Sequence, residues 1–230
     1  MAITLGSTSA TGSTVASSTP TLTHVVNGGE NLLVAALGVW YYADGGGARM
    51  SVPTASYSGS SMTLIIGSTG GSGGRMGVHV FYLANPPAGS TTIQFTYSSA
   101  CFYSIAGMSF AGVDTASPYH NQAISTVGTS GTLSTTVGSS AGEVPLGGIV
   151  GMNPSQCDTG AAGMIEIVSR AQVTSGLNHI QEVHYKSAGD AASTMAWVTG
   201  GNATTFIRWV LSLNAGAAAS SGALGAMWWY

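Results

Sequence analysis

The nine residues 90–98, STTIQFTYS, alternate between two kinds of side chain. Thr91, Ile93, Phe95 and Tyr97 fall on one side of an extended chain, and the polar residues between them fall on the other. Successive side chains of a β-strand point to opposite faces of its sheet. The stretch therefore predicts a strand with one face in a core and the other in water.

Most of the chain is built from similar segments. β-Branched and aromatic residues come in short bursts separated by Gly, Asn, Pro and Ser, and no segment keeps an apolar period of 3.6. This pattern predicts about twelve strands and very little helix. We expect an all-β fold, an antiparallel two-sheet sandwich of jelly-roll type, in one main domain.

Turn residues mark where the strands reverse. Asn27-Gly28 separates TLTHVV from NLLVAALGVWYY, and similar signals at residues 58–60 and 200–202 separate two further pairs of apolar segments. We predict a hairpin at each of the three turns. Across residues 84–90, ANPPAGS, the flanking strands are expected either to pair or to switch sheets. NLLVAALGVWYY is apolar on both faces, which favours a central position between layers.

The chain is nearly uncharged. Five Lys and Arg and eight Asp and Glu are spread over 230 residues, with a net charge of −3, whereas about a quarter of the residues of ordinary proteins are charged. An uncharged surface gives little mutual repulsion, which favours life in a multi-subunit assembly. The few scattered basic residues argue against nucleic acid as a partner.

No segment predicts a membrane span or a secretory signal. The longest apolar run, from Leu32, is about 12 residues, and a membrane-spanning helix needs about 20. The opening MAITLGSTSATGS lacks a basic start followed by an apolar stretch. We therefore expect no membrane partner. Either an export signal has been removed or the protein is made and assembled in a cytosol, and the opening Met1 favours the second.

Composition divides the chain into three parts: residues 1–20, residues 21–216 and residues 217–230. The first part, with a strand expected at residues 3–5, is either an edge strand with a linker or an arm that orders against a neighbour. The second is the sandwich domain. The third is a hydrophobic tail, in which an Ala- and Gly-rich stalk carries four large side chains, Met227, Trp228, Trp229 and Tyr230.

The tail is predicted to be a subunit interface. Burying its three aromatic rings yields up to about 10 to 15 kcal/mol as an upper bound. Ordering the stalk costs about 1 to 2 kcal/mol per residue, a similar total. The tail therefore gains little by lying on its own domain, and it gains more in a pocket shared between subunits. Folding back on its own sandwich and a disordered tail remain the alternatives.

Several segments together resemble a known family. They are LTHVVNGGENLLVAALGVW, VPTASYSGSSMTLI, VFYLANPPAGSTTIQFTY, GMSFAGVDTASP and RWVLSLNAG, in this order from about Leu22 to Gly216. This series resembles a jelly-roll-like β-sandwich domain of bacteriophage structural proteins and secreted bacterial surface proteins. The resemblance implies a structural or adhesive role and supplies no catalytic residue. The chain differs from the secreted members in its opening and in the stretch after Gly216.

Candidate catalytic and metal-ligating residues are few. Asp114, Ser117 and His120 are close in sequence, but a turn between strands is the simpler interpretation. On a strand, Glu182 and His184 would share one face and His179 would take the other, so a three-ligand metal site fails. We interpret that segment as a half-exposed strand. No cofactor, metal or enzymatic activity is expected.

For the other isolated residues, a structural role is the simplest interpretation. His24 is interpreted as a satisfied buried or edge histidine, and His79 as a residue packed at a sheet face. Lys186 is the only lysine, which makes an isopeptide crosslink a remote alternative. Cys101 and Cys157 leave a disulfide neither asserted nor excluded.

Two loops are candidate ligand- or receptor-binding elements. Tyr41, Tyr42 and Asp44 lie in one loop, and Arg75 lies in the Gly-rich loop 67–77. Such side chains can stack on sugars or contact a receptor, although packing under the loop is the simpler interpretation.

The function expected from these features is that of a virion structural protein. It would be a capsid decoration or cement-type subunit, a homo-oligomer with a trimer favoured, bridging major capsid or other virion proteins. The alternative is a glycan- or receptor-binding module of a phage fibre, or a bacterial surface-matrix subunit.

Overall fold

The computed structural model of the chain describes residues 2–40, 51–70, 76–127, 131–152, 156–159, 163–174, 177–186, 192–200 and 205–217. Regular structure in this part of the chain is entirely β-strand, which confirms the predicted all-β class. No helix suited to crossing a membrane is found among the described residues. The strands outnumber the prediction: β1 (Thr4–Ser17), β2 (Thr21–Val26), β3 (Leu32–Trp40), β4 (Thr54–Tyr57), β5 (Ser60–Ser61), β6 (Thr63–Gly70), β7 (Met76–Ala84), β8 (Gly89–Thr96), β9 (Cys101–Ala111), β10 (Tyr119–Val127), β11 (Gly131–Gly138), β12 (Val144–Met152), β13 (Gln156–Thr159), β14 (Ile165–Thr174), β15 (Leu177–Tyr185), β16 (Ala192–Gly200) and β17 (Thr205–Leu213).

These strands form four sheets in place of the two expected. Inner sheet 1 has the order β1-β9-β3-β7-β6, and outer sheet 1 has the order β2-β8-β4-β5. Inner sheet 2 has the order β10-β17-β12-β15-β14, and outer sheet 2 has the order β11-β16-β13. All of the pairings are antiparallel.

Strand β3 shows how the sheets are stacked. Leu33 and Leu37 point into a core shared with outer sheet 1, and Val34 on the opposite face points into a core shared with inner sheet 2. A third core, which includes Ile149 and Trp197, joins inner sheet 2 to outer sheet 2. The molecule is therefore a four-layer stack, and every residue of β3 is buried, as its two apolar faces predicted.

The four layers are two jelly rolls with the same topology. In the first, the order β1-β9-β3-β7 faces β2-β8-β4, and in the second β10-β17-β12-β15 faces β11-β16-β13. In both halves the first and last strands are neighbours in one sheet, as in a jelly roll. The inner sheets pack on each other with β1 against β14 and β6 against β10. An internal pseudo-two-fold axis thus relates the halves.

Strand register confirms the equivalence residue by residue. The pairing of β1 with β9 slips after Leu5–Phe110, and the pairing of β10 with β17 slips after Tyr119–Leu213. The slip spans the same number of residues in both halves. Leu5 and Tyr119 are therefore equivalent positions, as are Phe110 and Leu213.

Buried polar contacts also join the halves. Gln181 on β15 accepts a hydrogen bond from the Ser104 hydroxyl on β9 and donates one from Nε2 to the Ala36 carbonyl at 3.2 Å. Trp40 Nε1 donates to the Gly151 carbonyl, also at 3.2 Å. Such bonds satisfy polar groups inside an otherwise apolar core, so they fix how the two inner sheets register on each other.

Two of the three predicted hairpins are wrong, and the third is much shorter than expected. β2 and β3 lie in different sheets, as do β16 and β17, so the turns near residues 27–28 and 200–202 join layers. At residues 58–60 the β4–β5 hairpin has only two pairs, and β6 then leaves for inner sheet 1. Across residues 84–90 the chain switches sheets, one of the two expected outcomes. A turn signal marks a reversal without specifying which strand becomes the partner.

The first twenty residues are mostly strand. β1 begins at Thr4, as a strand near residues 3–5 predicted, but it continues to Ser17. It forms one edge of inner sheet 1 by pairing with β9.

Candidate functional site

A buried polar network surrounds His24 in the first jelly roll. The Ser9 hydroxyl lies 2.6 Å from Nδ1 and the Ser109 hydroxyl lies 2.6 Å from Nε2. Burial lowers the pKa of His24 because the imidazolium form is disfavoured away from water, although the Glu30 carboxylate acts in the opposite direction. The interpretation of His24 as a satisfied buried histidine is confirmed.

Glu30 ties the first strand to this network. Its carboxylate accepts hydrogen bonds from the Ser7 and Asn27 amides, at 3.0 and 2.8 Å, and from Asn27 Nδ2 at 3.0 Å. Burial by itself would raise the pKa of Glu30, but hydrogen bonds from Asn27, Ser7 and Ser109 outweigh it and lower the pKa. The Glu30 side chain thus joins β1, by hydrogen bonds, to the turn that links β2 to β3. We call this contact the glutamate latch.

The second jelly roll has the same latch. Glu143 Oε2 accepts hydrogen bonds from the Ser140 amide and the Ser212 hydroxyl, both at 2.8 Å. Its Oε1 lies 3.4 Å from Nδ1 of His120 on β10, the strand equivalent to β1. Ser212 follows Leu211 on β17 as Ser109 follows Met108 on β9, and β17 and β9 are equivalent strands. The network is therefore a repeated structural element of the fold.

Asp114, Ser117 and His120, for which the sequence favours a turn between strands, do not form a triad. The Ser117 hydroxyl accepts a bond from Asn214 Nδ2 at 3.3 Å, and no hydrogen bond joins it to His120 among the described residues. Asp114 accepts a bond from the Ala116 amide. Asp114, His120 and Asn214 do line one open cleft of about 320 Å³, but none of the described residues acts as a hydrogen-bonded base for the serine.

Glu182 and His184 share one face of β15, as predicted, with 4.0 Å between Oε2 and Nε2. The expectation of a half-exposed strand is wrong, because β15 lies between β12 and β14 and cores cover both of its faces. Trp197 Nε1 donates a hydrogen bond to Nδ1 of His184 at 3.1 Å, and burial lowers the pKa of His184 to about 4. The side chain of His179 lies outside the described residues.

The described residues singled out for possible metal binding or crosslinking have simple surroundings or belong to no cluster of ligating side chains. Among the residues that the structure describes, no three His, Cys, Asp or Glu side chains come together in a way that could hold a metal ion. Lys186 is the residue that an isopeptide crosslink would require. Its backbone amide donates a hydrogen bond to the Pro145 carbonyl.

His79, Tyr97 and Cys101 lie at the core between inner sheet 1 and outer sheet 1. The His79 ring is fully buried and packs edge-on against Tyr97 with centroids 5.8 Å apart. Among the described residues, neither of its nitrogens has a hydrogen-bond partner. Burial lowers its pKa to about 4 and raises the pKa of the free Cys101 thiol to about 12. His79 packs at a sheet face, as expected. Sequence reasoning missed the contact with Tyr97 because this residue lies in the connection between β8 and β9, far from His79 in sequence.

The predicted binding loops begin at neighbouring strand ends. Trp40, which precedes one loop, pairs with Met76, which follows the other, and Gly70 also pairs with Met76. Residues 41–50 therefore begin, and residues 71–75 begin and end, at one end of inner sheet 1, whereas the strand that follows residues 41–50 is β4 of outer sheet 1. The predicted binding and interface residues themselves lie outside the described residues: Tyr41, Tyr42, Asp44, Arg75, Met227, Trp228, Trp229 and Tyr230.

The fold defines an all-β protein built from two stacked jelly rolls. Comparison with protein-family models, curated protein sequences and solved structures gives no match. The resemblance to phage and bacterial surface domains therefore stays a prediction from the motifs.

Proposed function

We propose that this protein is a non-enzymatic structural subunit of a bacteriophage virion, of the capsid decoration or cement type. It would bridge neighbouring coat proteins after assembly in the host cytoplasm. The family resemblance of the sequence supports the phage context. The nature of the molecular surface supports the structural role.

The observation that carries the proposal is the scarcity of surface charge. Of the few charged residues in the chain, Glu143, Glu182 and Arg208 are buried, with 9, 1 and 6% exposure. Arg208 donates hydrogen bonds to the Ser134 carbonyl and the Ser125 hydroxyl, so its charge lies inside the second jelly roll and adds little to the surface. Copies of such a body repel one another weakly, which favours close packing with neighbours.

The outer layers present neutral polar groups. The solvent-facing positions of β2 and β8 are occupied by hydroxyl and amide side chains and by Val25, which is 44% exposed. Equivalent positions on β11 carry Thr132, Ser134 and Thr136. Faces of this kind pack against other neutral surfaces without a desolvated charge, as interface cores require.

The mechanical role follows from the four layers and the tail. Each inner sheet is covered on both faces, so the body behaves as a stiff spacer. Residues 227–230 would pack against a neighbouring subunit and so hold a homo-oligomer together. A trimer is favoured because capsids offer local three-fold positions.

Particle binding tests the proposal. Purified full-length chain is added to virions grown without it, and bound copies are counted by quantitative mass spectrometry and located by cryo-electron microscopy. We expect saturable occupancy at fixed lattice positions, lost when residues 222–230 are deleted. Absence of saturable binding by the full-length chain would contradict the proposal.

A glycan- or receptor-binding module is the second candidate. Its support is that the strand end before residues 41–50 lies beside the two strand ends that flank residues 71–75, at one end of inner sheet 1. A glycan array separates the candidates, because a cement protein shows no saturable sugar binding. If binding is found, Tyr41→Ala and Tyr42→Ala should abolish it.

A further inference from the structure

A surface groove opens between the two inner sheets. It measures about 280 Å³, and three of its lining side chains are only partly buried against the middle core although they are largely apolar: Ile3, Leu5 and Tyr185. The remainder of the lining is Thr4, Phe110 and Val144. The groove thus exposes part of the middle core at the edge where β1 begins.

The pseudo-two-fold axis identifies the equivalent place in the other half. Tyr82 lies opposite Val34 of β3, and Tyr185 lies opposite Leu146 of β12, at matching positions of equivalent strands. Leu5 is equivalent to Tyr119, as the strand slips show. The place equivalent to the groove is therefore lined by Tyr82 and Tyr119.

There the position is filled by an aromatic pair. The Tyr119 ring meets the Tyr82 ring edge to face, with centroids 6.1 Å apart and an interplanar angle of 68°. This is a favourable arrangement for aromatic rings. In the groove, Leu5 replaces that tyrosine, so none of the residues that the structure describes supplies the equivalent ring against Tyr185. The geometry calls for an aromatic side chain from elsewhere.

The hydrophobic tail leaves the fold next to this groove. The Gly216 amide donates to the Gly112 carbonyl at 2.8 Å, and Ala215 pairs with Val113. Gly112 in turn lies directly against the Ala2 carbonyl and the backbone of Ile3, which lines the groove. The tail residues that follow include two tryptophans and a tyrosine.

The stalk is long for a return to the adjacent groove. Residues 217–226 separate Gly216 from Met227, and ten residues span up to about 33 to 36 Å when extended. A stalk of this length, if extended, would bring the aromatic residues within reach of another molecule. Exchange of an identical element between copies is a recurrent route to oligomers.

We propose that the aromatic end of the tail, residues 228–230, of a neighbouring copy occupies this groove and packs edge to face on Tyr185. The inference rests on the proposed function, in which the tail is a subunit contact, and it assigns the surface that receives the tail. The occupant takes the place that Tyr119 holds in the other half.

Full-length variants test the assignment by light scattering after size exclusion. Leu5→Tyr fills the groove with the residue that the chain itself uses at the equivalent position, and Leu5→Glu places a charge there. Both should raise the dissociation constant of the oligomer by at least about 100-fold. Val15→Glu is the matched control, because Val15 lies on the same strand with 72% exposure and should assemble as the wild type does.

Mixing decides whether the contact is between copies. The double variant Trp228→Ser with Trp229→Ser keeps its groove, and Leu5→Tyr keeps its tail. Each should be a monomer alone, and a one-to-one mixture should form a complex of one copy of each. Near-ultraviolet circular dichroism checks that each variant is folded, and Leu5→Tyr keeps the test decisive if Leu5→Glu does not fold.

The outcomes separate the two proposals. If the tail variant is monomeric but both Leu5 variants assemble as the wild type, the groove assignment is wrong and the tail remains a subunit contact. If mixing restores nothing, the tail occupies its own groove and exchange is wrong. If wild type and tail variant are equally monomeric, both proposals fail.

Discussion

Acid should destabilise this protein through its buried histidines, and His79→Phe isolates one of them. Both nitrogens of the His79 ring lack a hydrogen-bond partner among the described residues, and the ring packs on Tyr97. Phenylalanine keeps a ring of similar size and removes the titration. Because no hydrogen bond is lost, we expect stability at pH 7.5 to stay equal or to rise.

The magnitude follows from proton linkage. The ordinary pKa of 6.5 applies to the unfolded chain, and burial holds the folded pKa at about 4. As pH falls, the unfolded state therefore binds the proton before the folded state does. The free energy of unfolding is highest above pH 6.5, where His79 is neutral in both states, and it falls as pH drops from 6.5 towards 4. The loss at pH 5 is about 2 kcal/mol. His184, with the same folded pKa, adds a similar amount.

Urea unfolding at pH 7.5 and pH 5, followed by tryptophan fluorescence, measures this difference. The wild type should lose about 4 kcal/mol between the two pH values through these two histidines, and His79→Phe should lose about 2 kcal/mol less. His120→Phe is the comparison variant: it removes the contact of a 53% exposed histidine with Glu143 and leaves the buried rings of His79 and His184 in place, so the loss of about 4 kcal/mol through those two rings should persist. An unchanged pH dependence in His79→Phe would refute the assignment of His79 as a neutral buried group.

Three further substitutions or reactions test the fold. Glu30→Gln replaces an acceptor of three nitrogen donors, so it should lower the free energy of unfolding by about 1 to 3 kcal/mol and speed amide exchange in β1. Gly148→Ala places a Cβ 2.7 Å from the Glu182 carbonyl oxygen, so it should lower the free energy of unfolding by about 1 to 3 kcal/mol or more in the same urea assay. Gly138→Ala is its control: there the Cβ meets only a side-chain amide at 3.0 Å, and the loss should be smaller. Cys101, with a pKa of about 12, should react with iodoacetamide at pH 8 on the order of 1,000-fold more slowly than in urea, as peptide mapping would show; equal rates would contradict its burial.

Local patterns predicted individual strands well. In β8, Ile93 and Phe95 are buried while Thr92 and Gln94 are exposed, as strict alternation requires. β3 is buried on both faces because it is the central strand of a sheet covered by two other layers. Such patterns report directly how many faces of a strand meet apolar neighbours.

The duplication was missed although the sequence carries a trace of it. TLTHVVNGGENLLVAAL and TLSTTVGSSAGEVPLGGI share Thr-Leu, a Val, a Gly-Glu latch and an apolar strand. Few identities remain because packing constrains the size and polarity of a side chain more than its identity. Without the repeat, the turn at residues 27–28 looks like a hairpin, whereas both halves use it to cross between layers.

The candidate site was only partly accessible to sequence reasoning. Glu182 and His184 were placed on one face, but their burial depends on strands far away in sequence. The groove beside Leu5 is visible only once the two halves are stacked, since its walls come from β1, β9, β12 and β15. Tertiary packing between distant segments decides such features, and local periodicity does not encode it.

Sedimentation equilibrium of the full-length chain tests the central claim most directly, namely that this nearly uncharged two-jelly-roll body assembles with copies of itself through its tail. The chain mass is 23.0 kDa. A mass that is a whole multiple of this value at micromolar concentration, and that returns to 23.0 kDa when residues 222–230 are deleted, is the predicted result. A single-chain mass for the intact protein across the concentration range would contradict it.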